Sequence, residues 1–307
     1  MTRSSIETPL KTCSMLSRER GEQVFGTASQ AQVWLLLEYS HPMGTKAYEE
    51  SNLPEPVKKH LDSFVENRPG SRIQLIKRPS NRSKTITFFL AVTKESSPLL
   101  FEFHLDHYED LADLDLTQAF SGEGLKEYIR TRPLFLICTN GKRDPCCAQW
   151  GLPLYNALSK NNPDSLWQTS HVGGHRFAPN LVCFPHGLYY GRADQHQAQN
   201  LMDKYQQNQI QLENYRGRSS YPPEVQAAEY YLREKTGNLS IEAFNLKSLE
   251  EAGDNRWKIC FVSPSNGQIH WLEISLESLN YEIFESCRKP DKKVLAKEYC
   301  LVRYEAE

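Results

Sequence analysis

Two cysteines with eight residues between them, and two histidines with three between them, are the groups in this chain best able to do chemistry together. Cys138 opens and Cys147 closes the run CTNGKRDPCC, and His171 and His175 stand in SHVGGHRFAPN, from Ser170 to Asn180. Thiolate sulfur and neutral imidazole nitrogen are donors for zinc and for iron–sulfur centres, and two of each complete a four-ligand set. The spacing of His171 and His175 could mimic a helical metal pair, but Gly173 and Gly174 lie between them. Two glycines cost about 2 kcal/mol of helix propensity relative to alanine. A tight loop wrapped around a ligand suits them better, because glycine lets backbone approach closely.

On the residues alone, four readings stand. One is a two-iron two-sulfur cluster on two Cys and two His, and another is a zinc site with the same ligands. A third is thiol chemistry, with Cys147 as redox thiol or nucleophile and His171 or His175 as its base. The last is a coincidence of buried thiols and hydrogen-bonded histidines. The short C-x2–4-C knuckle of most zinc sites is missing, as is the C-x-x-C of thioredoxin-type oxidoreductases. Adjacent Cys146 and Cys147 are poorly placed to bridge each other, since a disulfide between neighbours strains its geometry.

The apolar pattern supplies the elements that must position these groups. Strands are predicted at 33–38, 73–76, 86–93, 99–104, 134–137, 165–169, 181–184 and 188–190. Helices are predicted at 54–67, from Gly151 with Leu154, Tyr155 and Leu158 inward, and at 194–207. Cys138 then sits at a strand end and Cys147 just before a helix, where the helix dipole, Lys142 and Arg143 favour thiolates. The order strand–helix–strand, hairpin, helix occurs twice. The predicted fold class is therefore α/β, with two tandem thioredoxin-like lobes and a small C-terminal α+β appendage.

In that division residues 1–30 are a polar, irregular lead-in and 31–130 a degenerate lobe, whose corresponding loop Ser40-His41-Pro42-Met43-Gly44 has no cysteine. Residues 131–207 are the working lobe. Residues 208–307 are the appendage, with a helix from Tyr221 through Glu234 and strands at 257–262 and 269–274, and nothing there suggests chemistry. The acidic stretch from Glu102 to Glu123 reads as a solvated helix face. His104 and His107 within it read as surface residues. Cys13, Cys183, Cys260, Cys287 and Cys300 occur singly and read as buried free thiols.

Composition bounds the function. With 39% hydrophobic and 24% charged residues the chain is an ordinary globular protein. A net charge of −2 gives no reason to expect nucleic acid or an anionic membrane as partner. The longest apolar runs are strand-sized, so no membrane span is expected. The N-terminal run MTRSSIETPLKTCSMLSRERGE lacks the apolar core of a secretory signal. Eight cysteines without such a signal point to a reducing compartment, and the expected location is cytoplasmic.

The run CTNGKRDPCCAQWG followed by HVGGHRFAPN resembles the sucrase/ferredoxin-like family, also described as thioredoxin-like ferredoxins. TCSMLSRERGEQVFGTAS, VWLLLEYSHPMG and RGRSSYPPEVQAAE extend the similarity across most of the chain. The resemblance implies a bis-histidine, non-Rieske two-iron two-sulfur protein whose ligands would be Cys138, Cys147, His171 and His175. Cys146 stays outside that set. Arg143, Asp144, Arg176 and Asn180 would orient the ligands or donate to sulfur, and Pro179 would be a cis proline beside the site. The implied function is one-electron transfer between unidentified donor and acceptor proteins. Its potential would lie above that of an all-cysteine ferredoxin and fall as pH rises, because imidazole N–H groups lose protons on oxidation. No residue takes a catalytic role. No pair of carboxylates identifies an acid and a nucleophile, so the "sucrase" half of the family name finds no support.

Overall fold

Leu134 to Cys138 is apolar throughout and offers water no polar face, so it has to lie in a sheet covered on both sides. All five residues are buried. The computed structural model describes residues 11–79, 84–120 and 124–307.

Helix α1 (Cys13–Glu19) precedes β1 (Val33–Glu38), α2 (Glu55–Glu66), β2 (Ser71–Lys77), β3 (Ile86–Val92) and β4 (Leu99–Leu105). Short 3-10 turns cover Tyr108–Asp113, Leu116–Phe120 and Lys126–Tyr128. Next come β5 (Leu134–Cys138), α3 (Pro145–Leu158), β6 (Leu166–Thr169), β7 (Asn180–Phe184) and β8 (Leu188–Gly191). Helix α4 (Gln195–Gln206), β9 (Tyr215–Arg218) and α5 (Pro223–Thr236) follow. The chain closes with a meander of β10 (Asn245–Glu251), β11 (Arg256–Val262), β12 (Ile269–Phe284) and β13 (Lys293–Ala306).

The first nine strands form one mixed sheet in the order β4-β3-β1-β2-β6-β5-β7-β8-β9. Strands β1 and β2 are parallel across α2, and β5 and β6 are parallel across α3. Each leading strand also pairs antiparallel with a hairpin, β1 with β3–β4 and β5 with β7–β8. The halves join edge to edge through Ile76 opposite Thr169 and Lys77 opposite Gln168. The result is a mixed α/β protein with one large sheet. Among the described residues no helix is long and apolar enough to cross a membrane.

Strand alternation sorts the core into layers. Val33, Leu35 and Leu37 face Val57, Leu61 and Phe64 of α2, while Phe135 and Ile137 face Leu154, Tyr155 and Leu158 of α3. The other faces of β1 and β5 send Trp34, Leu36, Leu134, Leu136 and Cys138 into a shared layer. There Trp34 meets Phe184 edge-on at 5.3 Å between ring centroids.

Several expectations are corrected. Helix α3 begins at Pro145, not Gly151, because Asp144 caps it and Pro145 supplies a pre-set first turn. The lead-in read as irregular contains α1, while residues 1–10 lie outside the described residues. The acidic stretch folds as short 3-10 turns rather than one helix face, and Glu123 lies outside the described residues. Strands β9, β10 and β13 were not anticipated, and β12 runs on to Phe284 where Glu and Asn interrupt its apolar alternation.

Helix α5 is pinned to β9 by a buried charge cluster. Glu229 accepts from Arg218 at 2.8 Å, Arg233 at 2.9 Å and the Tyr215 hydroxyl at 2.8 Å. Burial alone would raise its pKa, but the two guanidinium charges and their hydrogen bonds bring it down to about 2. A depressed folded-state pKa means this contribution is complete above the unfolded value of 4.5 and is lost as pH falls toward 2. Glu229→Gln should lower stability by about 3–5 kcal/mol in urea unfolding and flatten the acid limb between those pH values. An unchanged acid limb would contradict this assignment.

Candidate metal centre

Strand β5 ends at Cys138, and six residues later Asp144 starts α3, so that Cys147 falls in the first helical turn. Gly151 lets the helix lie against the strand end, because a Cβ there would collide with the carbonyl oxygen of Cys138. Both thiols are buried. His171 reaches them from the loop after β6, with Nδ1 3.6 Å from Cys147 Sγ and 4.0 Å from Cys138 Sγ. One donor atom from each of Cys138, Cys147 and His171 lies within 4.8 Å of the others.

His175 stands just outside that group, its ring centroid 5.1 Å from that of His171. Its Nε2 contacts the backbone carbonyl of Glu285, and the Asp144 carboxylate lies 3.6 Å away. A ring that donates Nε2–H to a carbonyl carries its free lone pair on Nδ1 when neutral. That Nδ1 is buried and has no hydrogen-bond partner among the described residues. Burial lowers the His175 pKa, which keeps the ring neutral as ligation requires. For the thiols, the hydrogen bond from Cys147 and then the approach of His171 bring Cys138 well below the usual range. The same bond and burial push Cys147 up.

The histidine loop is held by its carbonyls. Arg72 donates to the carbonyl of His171 at 2.8 Å, and Ser29 and Tyr189 donate to that of Val172 at 2.8 and 3.2 Å. Arg216 donates to Gly173 at 3.2 Å and Asn180 to Gly174 at 2.9 Å. Four consecutive carbonyls are thus fixed by side chains from other elements. Gly174 has φ +68°, and a Cβ there would strike the Arg216 guanidinium. The expected tight glycine loop is therefore what forms.

Of the supporting residues expected from sequence, Asp144 and Asn180 contact the histidine loop, and neither arginine side chain is hydrogen-bonded to the thiols among the described residues. Asn180 links Gly174 to Arg216, accepting from it at 2.7 Å. Arg176 turns away to pair with Glu22 at 2.6 Å, and Arg143 is exposed at the rim of a cavity beside His175. The Ala178–Pro179 peptide is cis. Cys146 faces away from the pair, toward Cys13 and Cys287.

Sequence reasoning missed Arg72, Arg216, Tyr189 and Ser29, whose role is to grip backbone. It also missed Glu285 and Cys287, placed in an appendage expected to carry no chemistry. The RGRSS run was the one available signal, since a buried arginine needs a reason to be there.

The sucrase/ferredoxin-like family profile matches residues 24–217, more than half of the chain. The chain belongs to the sucrase/ferredoxin-like family. It is also similar to "Altered inheritance of mitochondria protein 32" of Meyerozyma guilliermondii, at 36% identity over 98 residues, 28% of this chain and 35% of that protein. The match thus spans about a third of the relative's length. No solved structure matches the chain. The family match covers the strand, helix and loop that carry Cys138, Cys147, His171 and His175.

The packing of α3 on β5 gives a direct test. Gly151→Ala adds helix propensity worth about 1 kcal/mol in an open helix. Here it should instead destabilise by about 1–3 kcal/mol, because the new methyl must push the end of β5 away. The midpoint of urea unfolding checks this, and a stabilised variant would contradict the close approach.

Proposed function

We propose that Cys138, Cys147, His171 and His175 hold a two-iron two-sulfur cluster and that the protein carries single electrons. The observation that carries this reading is the buried, unpartnered Nδ1 of His175 beside a compact group of two thiols and one imidazole. A buried nitrogen without a partner costs about 1–3 kcal/mol, so a ligand is a natural reason for leaving it free. Tetrahedral zinc with bonds of about 2.0–2.3 Å holds its donors roughly 3.3–3.8 Å apart. A fourth donor outside the group of three suits a two-metal unit better.

When bound, such a cluster supplies reversible one-electron chemistry, with neutral imidazoles raising its potential above that of an all-cysteine ferredoxin. The protein's own residues do the rest. Cys138 and Cys147 offer sulfur from a strand end and a helix start, away from water. Glu285 and Asp144 fix the tautomer of His175, and Arg72 and Arg216 fix the loop that carries both rings. Arg216 is fully buried over the rings of Phe177 and Tyr189, and burial pulls its pKa down only to about 9. It stays a cation and adds positive potential behind the loop, which favours uptake of an electron.

The strand order β4-β3-β1-β2 in one half is matched by β8-β7-β5-β6 in the other, read in the opposite direction across the sheet, which supports two tandem thioredoxin-like lobes. Partners in this reading are protein donors and acceptors. The cavity at His175 is rimmed by Arg143, Arg176, Arg288, Lys289 and Lys292 and would suit an acidic partner face. The proposed compartment is the cytoplasm, where thiols stay reduced. The name of the yeast relative, which refers to inheritance of mitochondria, makes mitochondria the compartment to compare in cell fractionation.

Anaerobically purified protein should be brown-red, with broad visible bands that bleach on adding dithionite and with iron and sulfide in equal amounts. Cys147→Ser and His175→Ala should each lose that iron, while Cys146→Ser keeps it. Colourless protein that contains zinc in place of iron, even after reconstitution with iron and sulfide, would overturn the proposal.

A further inference from the structure

Helix geometry turns adjacent residues by about 100°. Cys146 and Cys147, neighbours in the first turn of α3, therefore look in different directions, and only Cys147 faces Cys138 and His171. Cys146 instead meets Cys13 from α1 and Cys287 from the turn after β12. The three sulfurs form a triangle with every edge 3.4 Å, although the residues are 133, 141 and 274 positions apart in the chain. Cys13 and Cys146 are buried and Cys287 is half-buried. A donor oxygen of Asp144 lies within 4.8 Å of all three sulfurs.

The Cys13 amide donates to Cys287 Sγ at 3.2 Å, but that bond does not account for three sulfurs in mutual contact. The edges are far longer than a sulfur–sulfur bond of about 2.05 Å, so no pair is bridged. Thiols are weak donors and weak acceptors, and mutual S–H contacts alone give little stability. A point about 2.3 Å from each sulfur lies roughly 1.2 Å off the plane of the triangle, which leaves one side open to a fourth donor. The Asp144 carboxylate is the group near enough to supply it. Its Oδ1 accepts from the Cys146 amide at 3.0 Å, while Oδ2 takes the Cys287 amide and the Ser286 hydroxyl. Three sulfurs and one carboxylate oxygen are donors for a borderline-soft, four-coordinate ion, and they exclude magnesium and calcium.

We propose that Cys13, Cys146, Cys287 and Asp144 form a second metal site that binds zinc. Binding is a ligand exchange in which Zn2+ enters, the three S–H protons leave to solvent, and no electron moves. The ion clamps α1, the start of α3 and the segment after β12 to one another. That segment includes Glu285, whose carbonyl holds His175. The appendage is thereby fixed against the histidine loop by metal as well as by packing. This inference does not depend on what occupies the site of Cys138 and Cys147.

The test uses full-length protein purified anaerobically, with zinc and iron counted in the same samples and the zinc absorption edge read for its neighbours. Wild type should hold about one zinc per chain, with three sulfur neighbours at about 2.3 Å and one oxygen. Cys287→Ser, at the half-buried corner, should weaken zinc at least tenfold while the iron count stays at the wild-type value. Cys147→Ser should do the reverse, and Cys13→Ser provides a second corner should either variant fold poorly. The proposal fails if purified wild type contains no zinc and takes up none when Zn2+ is added. It fails equally if mass spectrometry finds a disulfide joining two of the three cysteines, or if zinc leaves with Cys147→Ser but stays in Cys287→Ser.

Discussion

Asp144 is a carboxylate whose side chain has no exposed surface, and a charge so placed is stable only where its lone pairs are matched. The matches come from separate parts of the molecule. The Cys146 amide binds from the helix it caps, and the Cys287 amide and Ser286 hydroxyl bind from the far C-terminal segment. His175 approaches from the histidine loop. Burial would raise the carboxyl pKa, but the hydrogen bonds from the Cys146 amide, the Ser286 hydroxyl and the Cys287 amide bring it below its ordinary value. One ionised group thus sets where α3 starts, how the appendage docks and which way His175 faces. Both cysteine clusters lie within a turn of it.

The sheet supplies the rigid frame for that arrangement. Cys138 and the histidine loop lie at the carboxyl ends of neighbouring parallel strands, β5 and β6, in the middle of the sheet. Ligand groups at strand carboxyl ends are a recurring solution in α/β proteins, because the strands fix positions and the loops stay free to carry polar atoms. Here the loop has four consecutive carbonyls that each take a hydrogen bond from a side chain elsewhere in the fold. The halves of the sheet also divide the work. Arg72 comes from β2, in the half without cysteines, and reaches across to hold the loop of the other, while Ser29 reaches the same loop from the segment before β1.

Much of this was legible in the sequence for a physical reason. Strand and helix periodicity follow from burial, and β1, α2, β3–β4, β5 and β7–β8 bury one face or two with little interruption. The ligand candidates were legible because thiols and imidazoles in one α/β half are few. Less was visible where polar groups act through backbone. Arg216 and Arg72 look like surface cations in sequence, and nothing local says that they end against carbonyls. The start of α3 is hard to see in sequence because Asp144-Pro145, a cap followed by a first-turn proline, suits a loop equally well. The convergence of Cys13, Cys146 and Cys287 was invisible because it depends on how segments 274 positions apart are folded together. Strands β10 and β13, half-exposed and rich in Glu and Lys, gave too weak an alternation to stand out.

Pulsed electron paramagnetic resonance of the dithionite-reduced protein would decide whether both histidines bind the proposed cluster, by resolving the nitrogens coupled to its spin. Two strongly coupled imidazole nitrogens, both assigned to Nδ1 by labelling histidine with nitrogen-15 at that position, are the result this account requires. A reduced centre with no coupled nitrogen, or with a single one that persists in His175→Ala, would contradict it.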